Sequence, residues 1–332
     1  ELFLQLPQPT AVRITSGPSQ LAPLGDLATF GGIGVASSST FTAVVDFVDP
    51  TSGAETTRDF STDARVVFAT TASASCAAVA GNAVSILTAA GCGGASSLAV
   101  TATVDLGAFG QLTSAPFSVT LATFSSLQLR LDAYPAGHPT NVATLRRVQC
   151  TADTFQRAKP HVTATLSTGA THTVTGQSSY ATSASGTVGV VGGSSGWAGV
   201  FAGVGGGVAS IVASFGGGAA TASASLAVDT DTPAEIASLS LSVDGLLHAE
   251  SGGSSSGSSG SGFGSSLTVT LDDGTVYADA HASSLYDGWL DATSMVVYSS
   301  DVPSAVAVDA SGGLSLLDNH HEPVSIAATT AC

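Results

Sequence analysis

Alternation of apolar and hydroxyl-bearing residues is the strongest pattern in this chain. In Val162-Thr163-Ala164-Thr165-Leu166 and Leu267-Thr268-Val269-Thr270-Leu271 the two kinds take turns, the period of a strand with one buried and one wet face. A strand, a tight turn and another strand recur in three places: Phe41–Phe47 with Asp49-Pro50 and Gly53, Val162–Leu166 with Ser167-Thr168-Gly169, and Leu267–Leu271 with Asp272-Asp273-Gly274. The second and third fit a β-hairpin turn, since glycine supplies the positive φ that such turns need. Each is followed by a Ser/Thr/Ala-rich stretch and a short valine-bearing strand, at Arg65–Ala69, Gly186–Val191 and Met295–Tyr298. A closing strand is expected last in each unit, at Ser97–Val104, Ala209–Phe215 and Val324–Thr329. Closing strands recur on the order of every 110 residues, the size of one immunoglobulin-like sandwich.

The pattern predicts an all-β chain of tandem immunoglobulin-like β-sandwich domains, at 1–123, 124–231 and 232–332. The joints around Val119–Ser126 and Asp229–Glu235, the second with Pro233, are short and favour a semi-rigid connection over a flexible string. Ser251–Ser261 is almost pure Ser and Gly and reads as a mobile loop inside the third domain.

Composition sharpens this picture. Ala, Gly, Ser, Thr and Val dominate, and 44% of the 332 residues are apolar, which favours a folded strand-and-turn chain over disorder. Only 10% are charged, with a formal net charge of −16 and a single lysine, Lys159. Nucleic acid and anionic membrane surfaces are excluded as partners, because both demand clustered Lys or Arg. No Asp, Glu, Lys or Arg occurs from Pro160 to Val228, and within that stretch Gly196–Ala220 is apolar enough to resemble a membrane span. Its two glycine triplets, Gly205–Gly207 and Gly216–Gly218, would each break a helix, so Trp197–Val204 and Val208–Phe215 read as strands and no span is expected.

Cys76 and Cys92 lie sixteen positions apart among small residues, with no nearby His or Cys to complete a zinc set, and read as a local disulfide. Cys150 and Cys332 leave three outcomes open: pairing with each other, pairing outside this segment, or free thiols. The chain lacks an initiator Met and a signal-like opening, and reads as an internal piece of something longer. Asn82, Asn141 and Asn319 are not sequons, which leaves O-linked glycans on Ser and Thr as the sugar to expect.

The run Thr173–Gly176, Tyr180–Ser183, Thr187–Val191, Gly199–Gly205 and Ala209–Phe215 resembles the group 2 bacterial immunoglobulin-like domain, found in invasin-like adhesins. Ser299–Val308, Gly312-Gly313 and Val324–Ala327 repeat the pattern less fully. The resemblance covers about two thirds of the chain and implies a sandwich fold rather than a particular function. Similar modules occur in eukaryotic surface and lumenal proteins, and the Ala/Gly/Ser content here is most similar to the mastigoneme filament proteins of green-algal flagella.

Searches for reactive chemistry end in ordinary loops. Gly192-x-Ser194-x-Gly196 and Gly253-x-Ser255-x-Gly257 lack the strand-to-helix context of a nucleophile elbow. His320, His321 and Glu322, with His248 and His281, form the one candidate zinc set, and read as a solvated loop. Asp229 with Asp231, Asp272 with Asp273, and Asp287 with Asp291 are candidate calcium ligands, but none shows the full alternation of a calcium loop and they read as turn-forming Asp beside Gly or Pro. Trp197 and Trp289 are assigned to sandwich cores, with Trp289 also considered, beside Tyr286, as an exposed contact residue. No catalytic residue, cofactor site or metal site is expected. Two functional readings follow: a self-assembling extracellular structural protein that forms part of a filament or surface appendage, or an adhesion or receptor ectodomain. The expected location is the cell surface, with the endoplasmic reticulum lumen as the alternative.

Overall fold

A computed structural model describes residues 6–30, 33–134, 140–191, 200–243, 263–278, 292–318 and 320–332. The Ser251–Ser261 stretch, both tryptophans, Tyr286, His248, His281 and the Asp287/Asp291 pair lie outside the described residues. The chain is all-β, a tandem series of immunoglobulin-like sandwiches, and divides into two compact units. The first unit is Glu1–Leu127, Thr163–Gln177 and Ser214–Ala220; the second is Gln128–Val162, Ser178–Ala213 and Thr221–Cys332.

The first unit holds the first sandwich and two hairpin tips of the middle one. Strands Gln8–Ser16, Thr42–Val48 and Glu55–Asp59 form one antiparallel sheet. Facing it, Ser97–Asp105 pairs with Val66–Thr70, Gln111–Thr113 and Phe117–Leu121. Burial along Ser97–Asp105 alternates strictly, placing Leu98, Val100, Ala102 and Val104 inside. Leu98, Val100 and Ala102 meet Phe41, Phe68, Val84, Ile86 and Leu121 in the main core, and Val104 meets Val12, Val45 and Phe60 in a smaller one. Gln20–Leu21 runs parallel to Thr120–Leu121, so the opening strand segment lies beside the closing one.

The middle sandwich contributes to both units. One of its sheets has the order Phe124–Tyr134, Arg157–Leu166, Val200–Gly203, Val188–Val191, and the other Thr144–Val148, Ala220–Ala234, Gly207–Phe215, Ser179–Thr182. Here too an early strand runs parallel to the last: Thr144, Leu145 and Arg146 lie opposite Ala227, Val228 and Asp229. Arg157–Leu166 alternates through all ten positions, which buries Val162, Ala164 and Leu166 and leaves Thr163 and Thr165 on the wetter face.

The third sandwich, in the second unit, orders Ile236–Val243, Phe263–Leu271, Gly313–Leu316 and Val306–Val308, with Val276–Ala278 beside Phe263–Leu271. Val296–Ser300 pairs with Ile326–Thr330 in a two-stranded sheet.

The expectation that Ser97–Val104 and Ala209–Phe215 close their sandwiches is corrected. Further strands follow each, at Gln111–Thr113 and Phe117–Leu121 in the first case and Ala220–Ala234 in the second. The last carries Ala-Thr-Ala-Ser-Ala-Ser, small residues of weak strand preference, and reaches through Asp229 and Pro233, so Glu235 alone separates it from the next strand. It is held by pairing on both sides and by Leu226 and Val228, which are buried in the core of the middle sandwich. The glycine-rich segment forms the strands Val200–Gly203 and Gly207–Phe215, and no helix among the described residues is long and apolar enough to cross a membrane.

Candidate functional site

Polar and apolar contacts concentrate where one sandwich ends and the next begins. In the first unit Asp26 caps the short helix Leu27–Phe30: its Oδ1 accepts the Ala28 N–H at 2.9 Å. The same oxygen accepts the N–H of Phe124, the first residue of the middle sandwich, at 2.9 Å. Ser167, in a middle-sandwich hairpin turn, accepts the Thr123 N–H through Oγ at 3.0 Å and donates its own N–H to the Thr123 carbonyl at 2.8 Å. Leu166 is fully enclosed by Ala22, Ala28, Val35 and Ala122. Phe124 and Phe215 pack with ring centroids 6.3 Å apart. Beside them Gly216 has φ +62°, and a Cβ there would lie 2.1 Å from Leu27 Cδ2. Glycine is required at this position for both conformation and room.

The second unit contains a stronger joint. Tyr134, Val148, Val200 and Ala234 from the middle sandwich share one core with Leu267, Val269, Leu271, Tyr277 and Met295 from the third. Over it, Arg146 holds Asp272 in a bidentate pair, Nη1 to Oδ2 at 2.9 Å and Nη2 to Oδ1 at 2.6 Å. Hydrogen bonding to the guanidinium, followed by its charge, keeps the Asp272 carboxyl below the ordinary carboxylate range and raises Arg146. Gln156 is buried, accepts the Arg146 N–H at 2.9 Å and donates to Asp273. Gln149 accepts the Ile236 N–H at 2.8 Å. Cys150 and Cys332, 182 residues apart, are disulfide-bonded and close the joint covalently. Burial pushes the Tyr277 hydroxyl upward, and this group has no hydrogen-bond partner among the described residues.

A third feature lies in the first unit, at the end of the first sandwich remote from Asp26. Leu6, Phe47, Phe60 and Phe109 surround an open cleft of about 330 Å³, with Arg58 and Arg65 on its wall. Arg58 sits 6.0 Å from the Phe47 ring centre and Arg65 5.1 Å from that of Phe60. Asp63 holds Arg65, and that hydrogen bond lowers the Asp63 carboxyl to about 2.

The sequence candidates fall out differently. Cys76 and Cys92 are joined by a disulfide, with Cys76 in the main core of the first sandwich. Asp229 accepts the N–H groups of Asp231 and Thr232 at 2.8 and 3.1 Å, a turn role. Asp272 and Asp273 are engaged at the joint by Arg146 and Gln156. His320 and His321 sit in an exposed bend with their rings 5.4 Å apart, in keeping with a solvated loop. Among the described residues no three His, Cys, Asp or Glu side chains come together as a metal site. Sequence reasoning missed Arg146, Gln149 and Gln156. Their only signal is scarcity: with eight Lys and Arg in 332 residues, an arginine beside a strand end is a candidate staple.

No protein-family profile and no curated protein sequence matches this chain. Among solved structures it is similar to domains 4–9 of the surface layer protein SbsC, with 16% identity over 89% of this chain and 39% of that one, at a TM-score of 0.43. It is also similar to the C-terminal 282-residue fragment of intimin solved with the intimin-binding domain of its translocated receptor, with 11% identity over 71% of this chain and 67% of that one, at a TM-score of 0.24. A third similarity is to the protocadherin gammaB7 EC3–6 cis-dimer structure, with 13% identity over 98% of this chain and 76% of that one, at a TM-score of 0.26. Similarities at this level carry no functional argument.

Proposed function

We propose that the chain is a structural segment of an extracellular protein, in which three immunoglobulin-like modules are fixed to one another at built joints and take part in a filament or surface appendage. We take the joints to be the short connections between the strands ending at Leu121 and Ala234 and those beginning at Phe124 and Ile236. The observation that carries this reading is the joint at Arg146, where a shared core, a bidentate ion pair, a buried glutamine and a disulfide all serve to fix two modules together. A flexible linker between independent binding modules would need none of them. Two disulfides use all four cysteines and fit an oxidising compartment, whether the cell surface or the lumen on the way to it.

Assembly with other copies is supported by the stretch from Pro160 to Val228, which carries no charged residue along the chain and in which Val190, Val204 and Val208 are exposed. O-linked glycans on the many Ser and Thr residues are the alternative cover. The group 2 resemblance and the similarity in composition to mastigoneme filament proteins point the same way. Negative-stain imaging of the native protein with an antibody to this segment tests the reading. Labelled fibres with a regular repeat are expected; label on isolated, unassembled molecules would overturn it.

A second reading, an adhesion ectodomain, draws on the aromatic and arginine-lined cleft, since Arg and aromatic residues dominate binding hot spots. The contact residues expected from sequence, Tyr286 and Trp289, lie outside the described residues.

A further inference from the structure

We propose that the Cys150–Cys332 disulfide is a redox-set stop on extension: closed, it routes tension around the third sandwich and most of the middle one, and opened by a dithiol it brings both under load. The use of such a stop rests on the filament reading, since a chain inside an appendage is pulled on. The stop itself follows from the bond and the order of the strands.

Covalent connectivity sets the path. Tension that enters ahead of Cys150 and leaves at Cys332 or beyond crosses between them through one S–S bond, so the chain from 151 to 331 lies inside a closed loop with no force along it. That loop contains Arg157–Leu166, Val200–Gly203, Gly207–Phe215 and Ala220–Ala234 of the middle sandwich, and every described strand of the third. Of the middle sandwich, Phe124–Tyr134 and Thr144–Val148 are the described strands left in the path of the force.

Placement makes the detour effective. Val148 ends its strand just before Cys150, and Ile326–Thr330 ends just before Cys332, so force leaves the polypeptide almost as soon as it leaves the sheet. The two loaded strands are anchored by burial: Leu131 and Leu145 in the core of the middle sandwich, Tyr134 and Val148 in the core it shares with the third. Arg146 and Gln149 also lie ahead of Cys150, while Asp272 and Ile236, which they hold, lie inside the loop. The joint therefore has one loaded side and one slack side, and its contacts are not drawn apart while the bond is closed.

Access decides the chemistry. Cys332 is exposed and Cys150 half-buried, whereas in the other bond Cys76 is 1% exposed and Cys92 half-buried. A dithiol reductant meets least obstruction at Cys332, and exchange rates depend on which sulfur can be reached. Its thiolate attacks the Cys332 sulfur, and Cys150 leaves as a thiolate and takes up a proton. The second thiol of the reductant then displaces Cys332 by closing a disulfide of its own. The chain gains two thiols and the reductant is oxidised by the same two electrons. Opening releases a span of 182 residues, roughly 600 Å of extended chain.

The test is single-molecule extension of the full chain, with handles fused to both ends, beside the double variant Cys150→Ser, Cys332→Ser. Without reductant the parent chain is expected to stop roughly 600 Å short of the variant's full extension. Dithiothreitol added to the parent should abolish that difference, which keeps the test valid if the variant folds poorly. Alkylation mapped by mass spectrometry should find Cys150 and Cys332 opened at dithiothreitol concentrations that leave Cys76 and Cys92 bonded. A parent chain that reaches the variant's full length without reductant would overturn the stop. So would parent and variant halting at the same shorter length after the first sandwich has unfolded, because the enclosed sandwiches would then hold without the bond. Cys76–Cys92 opening first would overturn its control by a dithiol. These outcomes bear on the stop alone, since the filament reading is decided by imaging.

Discussion

Arg146 and Asp272, 126 residues apart, meet in a two-bond ion pair across the joint between the middle and third sandwiches. The guanidinium is anchored from behind, because its own backbone N–H is held by buried Gln156 and its Nη1 also reaches the Pro233 carbonyl at 3.4 Å. Two planar groups held in register lose less freedom on pairing than two mobile surface chains would. Asp272 is partly exposed, so solvent screening limits the gain. Replacing Arg146 with Met or Asp272 with Asn is expected to cost about 1 kcal/mol each, and a double-mutant cycle in denaturant should show coupling of similar size. Additive single effects would mean the pair is ornamental.

The same pair sets a pH response. Asp272 has a depressed carboxyl in the folded chain, so its contribution is fully present above the ordinary aspartate range and is lost as pH falls through the lower, folded value. Stability at the joint should therefore be flat from neutral pH down to about 5 and decline below about 4. The Asp272→Asn variant should lack that part of the acid decline when thermal unfolding is followed across the range.

The Cys150–Cys332 disulfide ties positions 182 residues apart. Closing so long a loop restricts the unfolded chain strongly, and replacing both cysteines with Ser should cost about 2–4 kcal/mol. Unfolding monitored by calorimetry on the double variant checks this. Because the bond fastens the third sandwich to the middle one, the expected signature is separation of one transition into two rather than a simple downward shift.

Gly216 faces Leu27 with φ +62°. Gly216→Ala is expected to destabilise the first joint by about 1 kcal/mol or more through the left-handed backbone alone, with Leu27 displaced in addition. Gly217, also at positive φ but with no atom within 4 Å of an added Cβ, separates the two effects. Gly217→Ala should carry the backbone cost without disturbing Leu27, as read by chemical-shift changes around that residue.

Tyr277 is buried in the shared core with its hydroxyl unpartnered among the described residues. Removing a buried polar group that gains no hydrogen bond relieves a desolvation cost. Tyr277→Phe should thus leave the melting temperature unchanged or raise it, whereas a fall would reveal a partner for the hydroxyl.

Legibility in the sequence followed side-chain chemistry. Leu267-Thr-Val-Thr-Leu announces its strand because large apolar residues alternate with hydroxyls, and Leu267, Val269 and Leu271 are indeed the buried ones. Ala220–Ala234 does not, because alanine and serine differ too little in size and polarity to write a period. The joints were hidden for another reason. Asp272-Asp273-Gly274 has the composition of any tight turn, and its attachment to Arg146 and Gln156 depends on distances of 126 and 117 residues that no local pattern encodes. The short helix Leu27–Phe30 is a single turn whose role, presenting Ala28 to Leu166, exists only once the middle sandwich is in place.

The parallel pairing of Thr144–Val148 with Ala220–Ala234 has a mechanical meaning. Once the Cys150–Cys332 bond, which otherwise carries the load past residues 151–331, is reduced, tension applied to the chain before Thr144 and after Ala234 draws these neighbouring strands in opposite directions along their own axes. Their ladder of hydrogen bonds is then loaded in shear, all rungs sharing the force, instead of being peeled open one rung at a time. Gln20–Leu21 against Thr120–Leu121 repeats the arrangement in the first sandwich, with two paired positions instead of four. Under pulling, the first sandwich is therefore the one to yield earlier and the middle one the one to hold.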